Sequence, residues 1–343
     1  MAQEIAAPLE FERVVLSRPP AWVRIWALAR RHPLGVFGLL CVALLFFCGI
    51  LAGVISPYDP YFINGSHIKE APTLAHPFGT DRLGRDVLSR TIWGARISLL
   101  VGMVSVLFGV TIGTFFGVLS GYLGKLADSV IQRTVDILLA FPPVVLLLAI
   151  ITVIGDEDSA VRRFLTDYTP IPDGTFLGVP VFLDIFVIAI GIGIAVAVGT
   201  ARVVRGAVLS LKENVYIDAA RAMGASDWRI MTRHIFPNVA SLVVVLGSVF
   251  LPIAILAEAA ISFLGIGVPD PTPSWGADLT GPNRTDATNN GVWWVVFFPG
   301  LALSLVVLGF NMLGDAFRDI SDPRLRGGGL GPGPGSGPSR RGL

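Results

Sequence analysis

Six apolar runs dominate this chain, each about the 20 residues that a helix needs to cross the hydrocarbon of a bilayer. They are Leu34 to Ile55, Ile97 to Leu119, Val135 to Ile154, Pro180 to Thr200, Ala240 to Leu264 and Val292 to Leu313. Few folds can absorb so many, and the class they predict is all-α: a polytopic membrane protein with six transmembrane helices. Composition excludes the main competitor, a pair of soluble domains. Hydrophobic residues make up 53% and charged residues 15% of the chain, against roughly 25% charged in soluble domains, and mean hydropathy is +0.69.

The runs set the organisation. Residues 1–33 form a polar N-terminal segment, 34–315 the six-span unit, and 316–343 a tail expected to be disordered after about residue 327. That last stretch, GGGLGPGPGSGPSRRGL, is too rich in Gly, Pro and Ser to bury a core. The first run is too long for a signal-peptide core and lacks a small-residue exit, so an uncleaved anchor is expected. With six spans both termini share a side. Placing them in the cytoplasm puts 17 Lys/Arg inside and 8 outside, the direction that the positive-inside rule favours. Net charge is only +1, so no global field points to nucleic acid.

Within the runs, Gly109, Gly113, Gly117 and Gly121 recur at four-residue spacing. They line one stripe on which another helix can approach to backbone contact. The fourth and fifth runs carry the carboxylates Asp184 and Glu258. Asp184 is near a span end. Glu258 is costly in the bilayer and reads either as a pathway or gating residue or as a structural hydrogen-bonder near a helix bend. Cys41 and Cys48 sit on one helical face of the first run, where a disulfide is geometrically implausible; they read as apolar filler.

Catalytic and metal motifs are not evident. HPFGTDRLGRDVLSR (76–90) has the glycine spacing of a phosphate loop, but Arg85 and Asp86 stand where Lys and Ser/Thr belong. Asp86 would repel phosphate. The stretch reads instead as a turn at Gly79 and a short helix with Asp81 near its N-terminus. Arg82, Arg85, Asp86 and Arg90 would then form a charged face for the lipid interface or a soluble partner. His32, His67, His76 and His234 are scattered, so a metal site would have to be assembled by folding alone.

Residues 218–237, DAARAMGASDWRIMTRHIFP, interrupt the spans with charge. Asn214, or Ser210 with Glu213 three residues on, can cap a helix, and Gly224 suits the left-handed position that ends one. Ser226 can cap a second helix from Asp227 towards Ile235, and Pro237 leads into the fifth span. The prediction is helix, tight turn, helix: a protrusion whose small Ala219, Ala220 and Ala222 fit a partner's groove, with Asp218 and Arg221 as polar register.

This segment resembles the EAA loop of ABC importer permeases, with Asp218-Ala219-Ala220 for EAA, Gly224 for the glycine and Ile235-Phe236-Pro237 for the hydrophobic-hydrophobic-proline end. Asp218 replaces the usual Glu and shortens the arm. HPFGTDRLGRDVLSR with GARISLLVG, DILLAFPPVVLLLAI, AEAAISFLGIGVPDPTPSWG and GDAFRDISDPRLR are similar to the C-type permease of dipeptide, oligopeptide and nickel importers. The resemblance covers roughly residues 30–326. It implies a peptide permease that forms half of a translocation pathway and docks an ATPase through residues 214–237, with Asp218, Ala219, Ala220, Met223, Gly224, Ala225 and Pro237 at the contact. The partners it implies are a homologous B-type permease, two ABC ATPases and an extracytoplasmic binding protein, in a bacterial inner membrane. No cofactor is expected in this chain; ATP and magnesium belong to the partner subunits. Two outer loops, 155–178 and 280–291, are longer than the family pattern. The other readings are an importer of the same family for nickel or glutathione, or an ion-coupled secondary transporter, for which neither inverted repeats nor midplane helix breaks are clear.

Overall fold

The computed structural model describes residues 32–155 and 182–321, with 29, 30, 159, 160 and 163 besides. The N-terminal segment, the tail after 321 and most of the 155–178 loop therefore lie outside the described residues. Regular structure among the described residues is helical, apart from one isolated bridge between Thr80 and Asp86.

Helix α1 (Pro33–Ile55) starts on a proline, whose fixed φ suits a first helical turn. Helix α2 (Val87–Leu123) runs 37 residues, about 55 Å at 1.5 Å per residue. It therefore overshoots the hydrocarbon, and the apolar window from 97 to 119 is only its middle. Helix α5 (Phe182–Lys212) lies along it. A Cβ on Gly109 would stand 2.4 Å from the Gly193 carbonyl oxygen, one on Gly113 2.5 Å from that of Ala197, and one on Gly117 2.8 Å from that of Ala201. The four-residue glycine stripe thus places two backbones of this chain in contact, inside the bundle.

The third apolar window is not one straight span. It divides into α3 (Lys125–Leu139) and α4 (Pro143–Gly155), bent by 102°. Pro142 and Pro143 are the cause: neither has an N–H to donate, and each disfavours helical geometry in the residue before it. Among the described residues, five helices are long and apolar enough to cross a membrane, and the bent pair makes up to six. Helix α3 is tied to α5 by Arg205, whose Nε and Nη2 donate to the two Asp128 carboxylate oxygens at 2.5 and 2.6 Å, and by Arg202 to Asp136.

After α5 come α6 (Val215–Ala222), α7 (Asp227–Ile230), a wide π turn at Met231–Ile235 and α8 (Phe236–Phe263). The segment from Asp227 to Phe263 is continuous, so the second arm of the predicted protrusion is the first turns of the fifth span, not a separate helix. Pro237 cannot donate to the preceding turn, and the π turn just before it absorbs that mismatch. Two short helices, α9 (Trp275–Asp278) and α10 (Gly281–Asn289), precede α11 (Trp294–Ser321). Helix α11 packs on α1, where Gly309 and Cys41 meet: a Cβ on Gly309 would lie 2.5 Å from that of Cys41. Both cysteines are unbridged.

Residues 56–86 and 264–293 fold together into a cap over one end of the bundle, stapled by Phe78 stacked on Phe298 with ring centroids 3.8 Å apart. Trp294 Nε1 donates to the Thr80 carbonyl at 3.0 Å, and Trp275 Nε1 to that of Thr91 at 2.8 Å. The 213–226 loop projects beside the α2 C-terminus, at the other end.

Candidate functional site

The protruding loop is built from a narrow buried stripe under a wide exposed one. Ile217 and Ala220, three apart on α6, face inward with Ile230 and Ile235, and pack on Val204 and Val208 of α5 and Val118 of α2. Burying each isoleucine contributes about 1.5–3 kcal/mol, enough to seat a helix of eight residues that would not persist alone. Ala220 is therefore a packing residue rather than part of the contact face, because its spacing from Ile217 puts it on the inner stripe. Ala225 is half-buried.

The outward face carries Asp218, Ala219, Met223 and Gly224, with Val215 (83% exposed) and Met223 (82%) as large apolar groups. Trp228 on α7 is also exposed (68%) but lies along the bundle, lining an apolar pocket with Phe115 and Val118 of α2. Val215 and Trp228 are exposed apolar groups outside the family pattern; their signal is an apolar residue in a polar loop. Gly224 has φ +81° and open space around its missing Cβ, so the turn demands glycine for backbone reasons alone. Ser226 Oγ accepts from the Arg229 N–H at 3.4 Å and caps α7. Asn214 sits at the α6 N-cap without capping it; its Nδ2 donates back to the carbonyls of Leu211 and Ser210, closing α5 instead. Asp218 is exposed and accepts from Arg221 Nη1 at 3.1 Å. Pro237 is exposed in the first turn of α8, away from the tip.

Tyr122, at the end of the glycine stripe, holds the loop from below. Its hydroxyl donates to Asp227 Oδ1 at 2.7 Å and its carbonyl accepts from Lys212 Nζ at 2.6 Å. Arg221 lies 5.7 Å from its ring centroid. One aromatic ring thus links the ends of α2 and α5 to both arms of the loop. Sequence reasoning missed it, although a tyrosine closing a stripe of small residues must find a partner for its hydroxyl once buried.

At the cap three of the four residues of the predicted charged face, Arg85, Asp86 and Arg90, turn inward, while Arg82 stays partly exposed. Asp81, Arg85, Asp86 and Arg90 are at most 3% exposed, so they meet neither lipid nor a soluble partner. Arg85 Nε donates to Asp81 Oδ2 at 2.6 Å, and Arg90 Nη2 to Asp278 Oδ1 at 2.6 Å. Nor is there a short helix at Asp81. Instead Asp86 caps α2, its Oδ2 accepting from the Ser89 N–H at 2.8 Å and Oγ at 2.7 Å. Gly79 and Gly84 make the turns, with φ +72° and +73°. The 280–291 stretch is helix α10 rather than a plain loop, pinned by Lys69 Nζ donating to Asp286 Oδ1 at 2.7 Å. Lys69 and Asn290 hold the Asp286 carboxyl below its ordinary value.

Glu258 is fully buried on α8 and accepts from Ser274 at 2.8 Å, Ser262 at 2.9 Å and Ser98 at 3.0 Å. Three hydroxyls from α2, α8 and the α9 cap close around it, the satisfaction that a buried carboxylate requires. In this conformation Glu258 joins three elements and is closed off from the surface. An apolar cavity of about 220 Å³ nearby is lined by Ala257 and Ala260 and not by Glu258.

Residues 113–327 match the family model described as "Binding-protein-dependent transport system inner membrane component", and residues 21–74 that described as "N-terminal TM domain of oligopeptide transport permease C". The chain is 38% identical over 306 residues to a glutathione transport system permease protein, GsiD, of Pectobacterium atrosepticum, covering 89% of this chain and 92% of the relative. It is 37% identical over 307 residues to the GsiD of Escherichia coli O157:H7, covering 89% and 91%. Against a putative peptide transport system permease protein of Brucella suis the identity is 34% over 325 residues, covering 94% and 98%.

Proposed function

Since the chain belongs to the binding-protein-dependent transport system inner membrane components, as an ABC importer permease of the peptide and nickel family, we propose that it lines half of a peptide pathway and is driven through its 213–237 loop. The single observation that carries this is the loop itself. Its short helix is seated on the bundle by Ile217 and Ala220, yet Val215 on that helix and Met223 in the turn after it are left exposed. An apolar face on a braced, projecting helix fits a groove on a partner.

The partner proposed is a cytoplasmic ATPase of the ABC class, one on this chain and one on a homologous B-type permease. The termini and the loop then lie in the cytoplasm, and the cap faces an extracytoplasmic binding protein. The buried cap explains why this side can be basic: Lys69, Arg85 and Arg90 are paired internally with Asp286, Asp81 and Asp278, and Arg96 donates to the Gly49 and Ile50 carbonyls. In the mechanism, ATP closes the ATPase pair, which binds the two permease conformations with different affinity and so shifts their balance. Tyr122 passes loop movement to α2 and, through the glycine stripe, to α5. ATP and magnesium stay on the ATPases, so catalysis belongs to them. The cargo proposed is a short peptide, the class named for the Brucella relative; glutathione, named for the GsiD relatives, is itself a tripeptide.

Co-purification tests this reading. The wild-type chain is expected to hold its ATPases in detergent, and Met223→Asp with Trp228→Ser to release them while remaining folded. Proton-driven uptake by the chain alone in liposomes would establish the secondary-transporter reading instead.

A further inference from the structure

The cap gathers three side chains that can ligate a metal. His67, Glu70 and His76 each bring one donor atom such that all three lie within 4.8 Å of one another. They come from the 56–86 stretch, whose backbone is fixed by contacts that do not involve these side chains. The Glu70 N–H donates to Thr80 Oγ1 at 2.9 Å, the Thr80 N–H returns to the Glu70 carbonyl at 3.0 Å, and the Gly79 N–H donates to the His76 carbonyl at 2.8 Å.

Two further observations distinguish this cluster from an ordinary polar surface. His76 is buried, and its Nδ1 lies 2.9 Å from Asp86 Oδ1. A carboxylate there holds the proton on Nδ1 and leaves the lone pair on Nε2, the outer-shell arrangement that orients imidazole ligands of metals. Asp86 is itself immobilised by capping α2 through its other oxygen. The second observation concerns His67. Its Nδ1 is 2.9 Å from Glu70 Oε2 and shut off from solvent, yet it makes no aligned hydrogen bond. The two are donor atoms of different side chains held side by side, a spacing that one shared cation can bridge.

We propose that His67, Glu70 and His76 bind one zinc-class divalent transition ion on the cap, with water completing the coordination. Two imidazoles and one carboxylate suit zinc, with nitrogen at about 2.0–2.1 Å, and disfavour magnesium and calcium, which take all-oxygen shells. The ion fastens the 67–76 excursion to the α2 N-cap through Asp86, stiffening the cap against the bundle.

The test uses the full chain in detergent with any affinity tag removed. Titration with zinc chloride is expected to give one ion per chain, with neither Mg²⁺ nor Ca²⁺ competing, and X-ray absorption of the loaded protein to show imidazole nitrogen in the first shell. His67→Ala and Glu70→Gln, at partly exposed positions, should each weaken zinc about 10-fold or more, the scale at which even outer-shell losses register. His32→Gln with His234→Gln should change nothing. Stoichiometric binding that survives unchanged in the His67→Ala/Glu70→Gln double variant overturns the proposal. So does an oxygen-only first shell on the wild-type protein, a result that depends on no variant folding.

Discussion

The two ends of this bundle use opposite chemistry. At the cap, charge is interior: Asp81, Arg85, Asp86 and Arg90 are at most 3% exposed and matched internally, Arg85 with Asp81 four residues away and Arg90 with the distant Asp278. At the 213–237 end, charge is exterior, and the large apolar groups Val215, Met223 and Trp228 are exposed with it. A buried ion pair makes an end rigid and intolerant of change. An exposed apolar face on a small braced helix leaves stability almost untouched and offers contact area. One end is made to hold its shape, the other to be held.

The sharpest break of this comparison is Arg90→Met. It strands the Asp278 carboxylate in a dry site and should cost about 3–5 kcal/mol, read as loss of folded protein in a detergent thermal melt. Arg90→Met with Asp278→Leu removes both charges and should recover most of that loss. Next is Gly113→Leu, whose Cβ would meet the Ala197 carbonyl oxygen at 2.5 Å. Overpacking of this kind costs about 1–3 kcal/mol and should separate α2 from α5, with reduced melting temperature and reduced transport together.

At the other end the same measurements should come apart. Gly224→Val forces a β-branched residue to φ +81°, a local cost of about 1–2 kcal/mol. It should abolish ATP-coupled uptake with membrane insertion intact. Gly224→Asn, which tolerates the left-handed region and meets no neighbour there, should retain uptake. Met223→Asp is expected to change stability by no more than about 0.5 kcal/mol and still uncouple ATP hydrolysis from uptake. If it instead melts like the cap variants, the contrast fails.

The smallest effect is acidic. The Asp286 carboxyl is held below its ordinary value of 3.8, so its contribution to the cap is complete above that value and is lost as pH falls through the depressed one. Lys69→Met should flatten this acid-side loss of stability, followed by the fluorescence of Trp294, whose indole bonds the cap.

The spans were legible because 20-residue apolar runs admit few alternatives, and the loop because Gly224 and Ser226 punctuate it locally. What escaped was long-range. Arg90 pairs with Asp278, 188 positions away, and nothing local in HPFGTDRLGRDVLSR says that its charges turn inward. Tyr122 carries no local signal either, since its hydroxyl partner Asp227 lies 105 positions away. The bend at Pro142-Pro143 was written in the sequence, but apolar length outweighed it. Ala220 was placed outward because its small size was read as surface complementarity, when its three-residue spacing from Ile217 marked the buried stripe.

Hydrogen exchange of the chain with and without its ATPase subunits tests the central claim most directly. Amides of 215–229 should exchange quickly in the isolated permease and become protected on assembly, while 79–91 stay slow in both. A loop whose exchange is unchanged by the ATPases, or protection that appears only in the cap, would contradict it.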